Sequence, residues 1–240
     1  VVGGGTMGAG IAYALMQSGS AVTLVERDDE AAASARARVS GLLDAAVSRG
    51  LTSADKAAAQ LTSMRFQAGY DDLQDGGLAI EAAFEDMAVK KDVLAALDSA
   101  MPDAVLATNT SYLDIDKMAG WLADPSRLVG LHFFSPAHIM KLLEIVRGKA
   151  SSDMALATGF ALAKRLGKLP VMVGVCDGFV GNRMLQRVRE AAEHLLLDGA
   201  EFTQIDRVMT NFGYAMGLYM TQDLSGLDIA WANRKRQADK

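Results

Sequence analysis

Cysteine is almost missing from this sequence: Cys176 stands alone among 240 residues. No internal disulfide framework can form, which fits a reducing, cytoplasmic setting. Histidine is nearly as scarce, with three copies. No cysteine and histidine spacing resembles a zinc site, so no metal is expected. A positive excess is absent too. Lys and Arg number 24 against 29 Asp and Glu, a net charge of −5, and no basic stripe tracks a phosphate backbone, which argues against nucleic acid. No apolar run reaches the roughly 20 residues that span a bilayer. An initiator methionine is also lacking: Val1-Val2 stand directly before Gly3, where a strand normally needs about five residues. At the far end Arg234 to Lys240 continues a helical pattern with no stop signal. The sequence is therefore expected to be a fragment whose first strand is cut short.

What is present is hydrophobic residue, 50% of the chain, enough for one full core and a smaller second one. Short β-branched runs alternate with alanine-rich helical stretches, the pattern of a parallel sheet covered on both faces. Strands are predicted at Val1-Gly3, Ala21-Val25, Met64-Gln67, Leu78-Glu81, Ala104-Thr108, Arg127-Phe133, Lys141-Val146 and Leu169-Val173. The fold class is α/β, a doubly wound Rossmann-type sheet over residues 1–174, followed by an incomplete all-helical domain over 175–240. Between Asp28 and Leu61 the helical stretch is broken at Gly50, giving a helical hairpin expected to project from the domain, its second helix capped by Thr52. Strand signals stop after Val173, and helices divided near Gly199 and Gly213 follow. No flexible linker separates the parts, so a tight interface and a substrate cleft between them are expected.

Gly3, Gly5 and Gly8 stand in G-x-G-x-x-G register between a strand and an apolar helix. The first permits a tight turn, the second admits a pyrophosphate, and the third allows close helix packing with the helix N-terminus facing the anion. A glycine turn without a ligand is the competing reading. Against it stands Glu26, at the end of the second strand about 20 residues on, where an adenosine ribose is bound. A carboxylate there pairs with a free 2′-hydroxyl and repels a 2′-phosphate, which favours NAD over NADP.

Two further segments leave the C-terminal ends of strands, where open α/β sheets bind ligands: Ile80-Glu81-Ala82-Ala83-Phe84-Glu85-Asp86 through Lys90, and Thr108-Asn109-Thr110-Ser111. With Gly130-Leu131-His132-Phe133-Phe134-Ser135-Pro136, Lys141-Leu142-Leu143-Glu144 and Asp177-Gly178-Phe179-Val180-Gly181-Asn182-Arg183, they closely resemble L-3-hydroxyacyl-CoA dehydrogenases, especially the dehydrogenase portion of multifunctional fatty-acid oxidation enzymes. The resemblance covers nearly the whole chain. It implies an NAD-dependent oxidation of 3-hydroxyacyl-CoA to 3-ketoacyl-CoA, with His132 as catalytic base and Glu144 as its orienter. Ser111 and Asn182 match the serine and asparagine flanking the reacting centre, and Glu85 and Lys90 match positions near the nicotinamide and its ribose. The cofactor set is then Gly3, Gly5, Thr6, Met7, Gly8, Glu26, Ala83, Glu85, Lys90 and Ser111. An acyl-CoA substrate is implied, with assembly as a homodimer or as part of a multifunctional enzyme.

The chemistry of the residues agrees with that transfer. Oxidising a secondary alcohol needs a base for the hydroxyl proton while hydride leaves the same carbon, and histidine titrates in the right range. A carboxylate on the far ring nitrogen fixes the tautomer and stabilises the imidazolium. Taken alone, Glu85 and Lys90 read as helix-start and surface charges, Ser111 as a helix cap, and Arg36, Arg38, Arg49 and Lys56 as solvated charge rather than partners for CoA phosphates. Many members of the family carry asparagine where this chain has Ser135. Two rivals stay open: a related dehydrogenase of hydroxy acids or sugar acids without CoA, and a non-catalytic dinucleotide-binding protein.

Overall fold

The computed structural model describes residues 1–225 and residue 231, so the helix expected over Arg234 to Lys240 lies outside the described residues. The chain divides into two compact units, Val1–Val180 and Gly181–Lys240. In chain order the first runs α1 (Thr6–Gln17), β1 (Thr23–Glu26), α2 (Asp29–Ser48), α3 (Ala54–Ser63), β2 (Arg65–Ala68), β3 (Leu78–Glu81), α4 (Met87–Ala100), β4 (Val105–Thr108), α5 (Ile115–Ala119), β5 (Leu128–Phe133), β6 (Leu142–Arg147), α6 (Asp153–Arg165) and β7 (Leu169–Gly174).

Val2 replaces the expected first strand. It makes only isolated parallel bridges, to Val25 and to Glu81, yet these join β1 and β2 to the run β3-β4-β5-β6-β7. All pairings are parallel except β5 with β6. The inner strands, such as β4 and β5, bury both faces, as parallel sheets do, while β2 and β7 are largely open. On one face Leu24, Leu131 and Phe133 pack with Ile11, Val39 and Leu162; on the other Leu106 and Leu128 pack with Leu94, Leu97, Ile115 and Met118. Helices therefore cover both sides, and the sheet is doubly wound.

One local expectation needs correction. Ser53, not Thr52, caps α3, its hydroxyl accepting from Lys56 N at 3.3 Å, while Thr52 Oγ1 is buried without a partner. The first helix of the hairpin, α2, buries Ala32, Ala35, Val39, Leu43 and Ala46, a stripe at helical spacing, whereas the second, α3, buries only Ala57.

The second unit contains α7 (Gly181–Leu197), α8 (Phe202–Phe212) and α9 (Leu218–Ser225). Gly199 and Gly213 end the first two in the left-handed region, at φ 99° and 119°, where glycine escapes the Cβ penalty. The buried Asp206 carboxylate accepts from Tyr219 N and Met220 N at 2.9 and 3.0 Å. It thereby satisfies first-turn amides of α9 that have no partner within the helix. Leu197, Phe202, Val208 and Phe212 remain exposed. Among the described residues no helix is long and apolar enough to cross a membrane.

Candidate active site

The glycine turn joins Val2 to α1. Gly3 adopts φ 90°, and a Cβ there would lie 2.7 Å from the Ala82 carbonyl oxygen. A Cβ on Gly8 would overlap the Gly3 carbonyl oxygen, whereas one on Gly5 would meet nothing within 4 Å. The turn is closed on its inner side and open at Gly5. No side chain caps α1 and its first turn carries no acidic residue, so the amides that begin with Thr6 and Met7 keep their capacity for an anion. These features fit the diphosphate of a dinucleotide. At the end of β1, Glu26 Oε1 accepts from Gly4 N at 2.6 Å.

A buried charge network ties the next two loops together, and its hub, Glu81, went unread as a functional residue in the sequence. Glu81 is 0% exposed and takes Lys90 Nζ on both oxygens (2.8 and 2.9 Å), Thr108 Oγ1 (2.7 Å) and Ala83 N (2.7 Å). Lys90 Nζ also lies 3.3 Å from Glu85 Oε2. Lys90 is therefore not the surface charge it resembles in isolation: its side chain is interior, and Glu81 and Glu85 supply its counter-charge. Glu85 Oε1 in turn accepts from Thr110 Oγ1, Ser111 N and Tyr112 N at 2.6, 2.7 and 3.2 Å. One carboxylate thus organises the β4–α5 loop. The Ser111 hydroxyl has no partner among the described residues, while Asp114, not Ser111, caps α5. Asn109 Oδ1 accepts from Phe133 N at 2.9 Å, which joins this loop to the end of β5.

His132 and Glu144 face each other across the antiparallel pair β5–β6. His132 Nδ1 lies 2.6 Å from Glu144 Oε2, and both residues are buried. A carboxylate only accepts, so Nδ1 carries the proton and Nε2 is the free nitrogen. Glu144 Oε1 accepts from Val180 N at 2.9 Å. The rings of Phe134 and Phe179 sit 4.4 and 5.6 Å from the imidazole and keep it dry. Phe179, fully buried, holds φ 48°, a backbone state that costs a bulky side chain on the order of 1 kcal/mol or more.

The loop between His132 and Glu144 has its own anchor. Lys168 Nζ, at the entry to β7, donates to Ala137 O and Met140 O at 2.7 and 2.6 Å and lies 5.6 Å from the Phe133 ring centre. Burial pulls its pKa below the ordinary value for lysine. No motif pointed to Lys168. Its partners are backbone carbonyls about 30 residues away, and a lone lysine before a strand carries no sequence signal. Ser135 is exposed in this loop, and His138 packs edge-on against Tyr13. His194 is exposed on α7. Asn182 lies in the first turn of α7, in the second unit, half-buried. The structure thus brings Glu81, Glu85, Lys90 and Ser111 into one network and His132 and Glu144 into one pair. Asn182 stands in the other unit.

The comparisons with known proteins agree on one family. The NAD binding domain of 3-hydroxyacyl-CoA dehydrogenase matches residues 1–176 and the C-terminal domain of 3-hydroxyacyl-CoA dehydrogenase matches residues 178–240. A peroxisomal bifunctional enzyme of Danio rerio is 45% identical over 98% of this chain, which covers 32% of that protein. The chain therefore spans about a third of the length of the curated relatives it matches. Among solved structures, (S)-3-hydroxybutyryl-CoA dehydrogenase PaaH1 from Ralstonia eutropha is 34% identical, with a TM-score of 0.88 over 96% of this chain and 83% of that one. The dehydrogenase part of multifunctional enzyme 1 from C. elegans is 33% identical, with a TM-score of 0.73 over 98% and 55%.

Proposed function

The chain belongs to the 3-hydroxyacyl-CoA dehydrogenase family, and from that premise we propose that it oxidises L-3-hydroxyacyl-CoA to 3-ketoacyl-CoA in fatty-acid β-oxidation, with NAD as cofactor. The observation that carries the reading is the His132–Glu144 pair, a buried imidazole whose Nδ1 is engaged by a carboxylate, so that Nε2 is the nitrogen left for proton transfer. Nε2 takes the proton of the substrate 3-hydroxyl as the carbon–hydrogen bond breaks. Glu144 holds the tautomer and stabilises the imidazolium that results. NAD, when bound, supplies the acceptor for the hydride. Residues Gly3, Gly5, Thr6, Met7 and Gly8 hold its diphosphate and Glu26 its adenosine ribose. Ala83, Glu85, Lys90 and Ser111 serve the nicotinamide side, with Lys90 acting from behind the loops it ties together. The unpartnered Ser111 hydroxyl donates to the substrate oxygen. For Asn182, as a second donor, the support is the family motif alone.

The exposed apolar residues of α7 and α8 support a homodimer, and the bifunctional relatives support a place in a multifunctional enzyme. A lone cysteine, which can form no internal disulfide, fits a reducing compartment. Steady-state turnover of acetoacetyl-CoA with NADH tests the reading. Turnover supports it, turnover only of hydroxy acids without CoA supports the first rival, and NADH binding with no turnover supports a non-catalytic protein.

A further inference from the structure

Gly4, the residue that the glycine fingerprint leaves unspecified, is gripped from three sides. Its N–H donates to Glu26 Oε1 at 2.6 Å, its carbonyl accepts from Arg38 Nη1 at 3.1 Å, and a Cβ on it would overlap the Ala35 side chain. Glu26 and Arg38, opposite charges on β1 and α2, therefore stand on either side of a single residue, close to each other but outside ion-pair range. Arg38 is exposed and spends one of its five donors on this contact. The nearest competitor, Arg27, is committed elsewhere: its Nε lies 3.0 Å from Asp28 Oδ2, and its side chain is 84% exposed.

We propose that Arg38 is the specificity-determining counterpart of Glu26. It is a cation fixed beside the ribose site, able to bind a 2′-phosphate, and the Glu26 carboxylate alone holds a phosphorylated cofactor away from it. Discrimination against NADPH is then a contest between these two side chains over one small region. The inference rests on the proposed placement of the adenosine ribose at Glu26. A 2′-phosphate beside Glu26 meets like-charge repulsion, and the same phosphate with the carboxylate removed meets a planar donor fork already oriented by Gly4.

The test is binding of NADH and NADPH, followed by nicotinamide fluorescence, to the native chain and to Glu26→Gln, Glu26→Gln/Arg38→Gln, Glu26→Gln/Arg38→Lys and Glu26→Gln/Arg27→Gln. Loss of the carboxylate should shift the Kd ratio toward NADPH by about tenfold or more, the scale of a charge-assisted contact. Adding Arg38→Gln should cancel that shift, Arg38→Lys should keep only part of it, since an ammonium lacks the planar fork, and Arg27→Gln should leave it in place. A shift that survives Arg38→Gln overturns the proposal, whether or not Arg27→Gln removes it, as does no shift in Glu26→Gln while native binding still favours NADH. A native chain that binds NADPH as tightly as NADH would instead overturn the placement of the ribose. If Arg38→Gln proves unstable, Glu26→Gln/Arg38→Met removes the same charge and decides the same question.

Discussion

His132 and Glu144 are direct cross-strand partners in β5 and β6, and their side chains meet at 2.6 Å inside the protein. Twelve residues separate them in sequence. The reversal through Pro136 returns the chain antiparallel, and strand register then puts both side chains on one face of the sheet.

From this pairing, Glu144→Gln should lower kcat by about 10- to 100-fold, the usual scale for the partner that orients a functional histidine. The imidazolium that forms in turnover loses its counter-charge, so the loss should fall on kcat and leave the Kd for NADH unchanged. A native kcat in the variant would mean that Glu144 does not position His132.

The charge network around Lys90 gives a stability prediction. Lys90→Met leaves Glu81 buried without its counter-charge and should cost about 3–5 kcal/mol in denaturant unfolding. Glu81→Gln/Lys90→Met should recover a large part of that loss, since the amide still accepts from Thr108. A single Lys90→Met variant within about 1 kcal/mol of the native chain would contradict the role given to the pair.

His138 predicts a pH effect outside the catalytic pair. Burial first, then the Lys168 and Arg49 charges, hold its pKa below the ordinary 6.5. Below that pH the unfolded chain takes up a proton that the folded chain resists. Its contribution to stability is therefore complete above pH 6.5 and lost as the pH falls. Melting temperatures measured from pH 7.5 down to 5 should decline more steeply in the native chain than in His138→Gln. Parallel curves would show that His138 titrates alike folded and unfolded.

How much of this was legible in the sequence depends on how far each signal reaches. Leu78–Glu81 was readable because buried parallel strands are short apolar runs bounded by turns, and Leu169–Gly174 was readable to within a residue from its apolar run, although most of that strand is exposed. The contact between His132 and Glu144 was readable through the motifs around them. Glu81 was not, because a carboxylate closing an apolar strand looks the same whether water or a lysine nine residues on supplies its partner. Arg38 reads as one of several charges on a surface helix, and only the approach of α2 to Gly4 distinguishes it. Thr52 and Ser53 are both good caps, and the choice between them rests on one residue of chain path.

The central claim is that His132 is the base of a dehydrogenase reaction, and the most direct measurement is steady-state reduction of acetoacetyl-CoA by NADH in the native chain and in His132→Gln. The account predicts a fall in kcat of about 100-fold or more, with the Kd for NADH preserved, because the imidazole takes no part in holding the glycine turn or Glu26. Turnover by His132→Gln at near the native rate, with the variant folded and binding NADH, would contradict it.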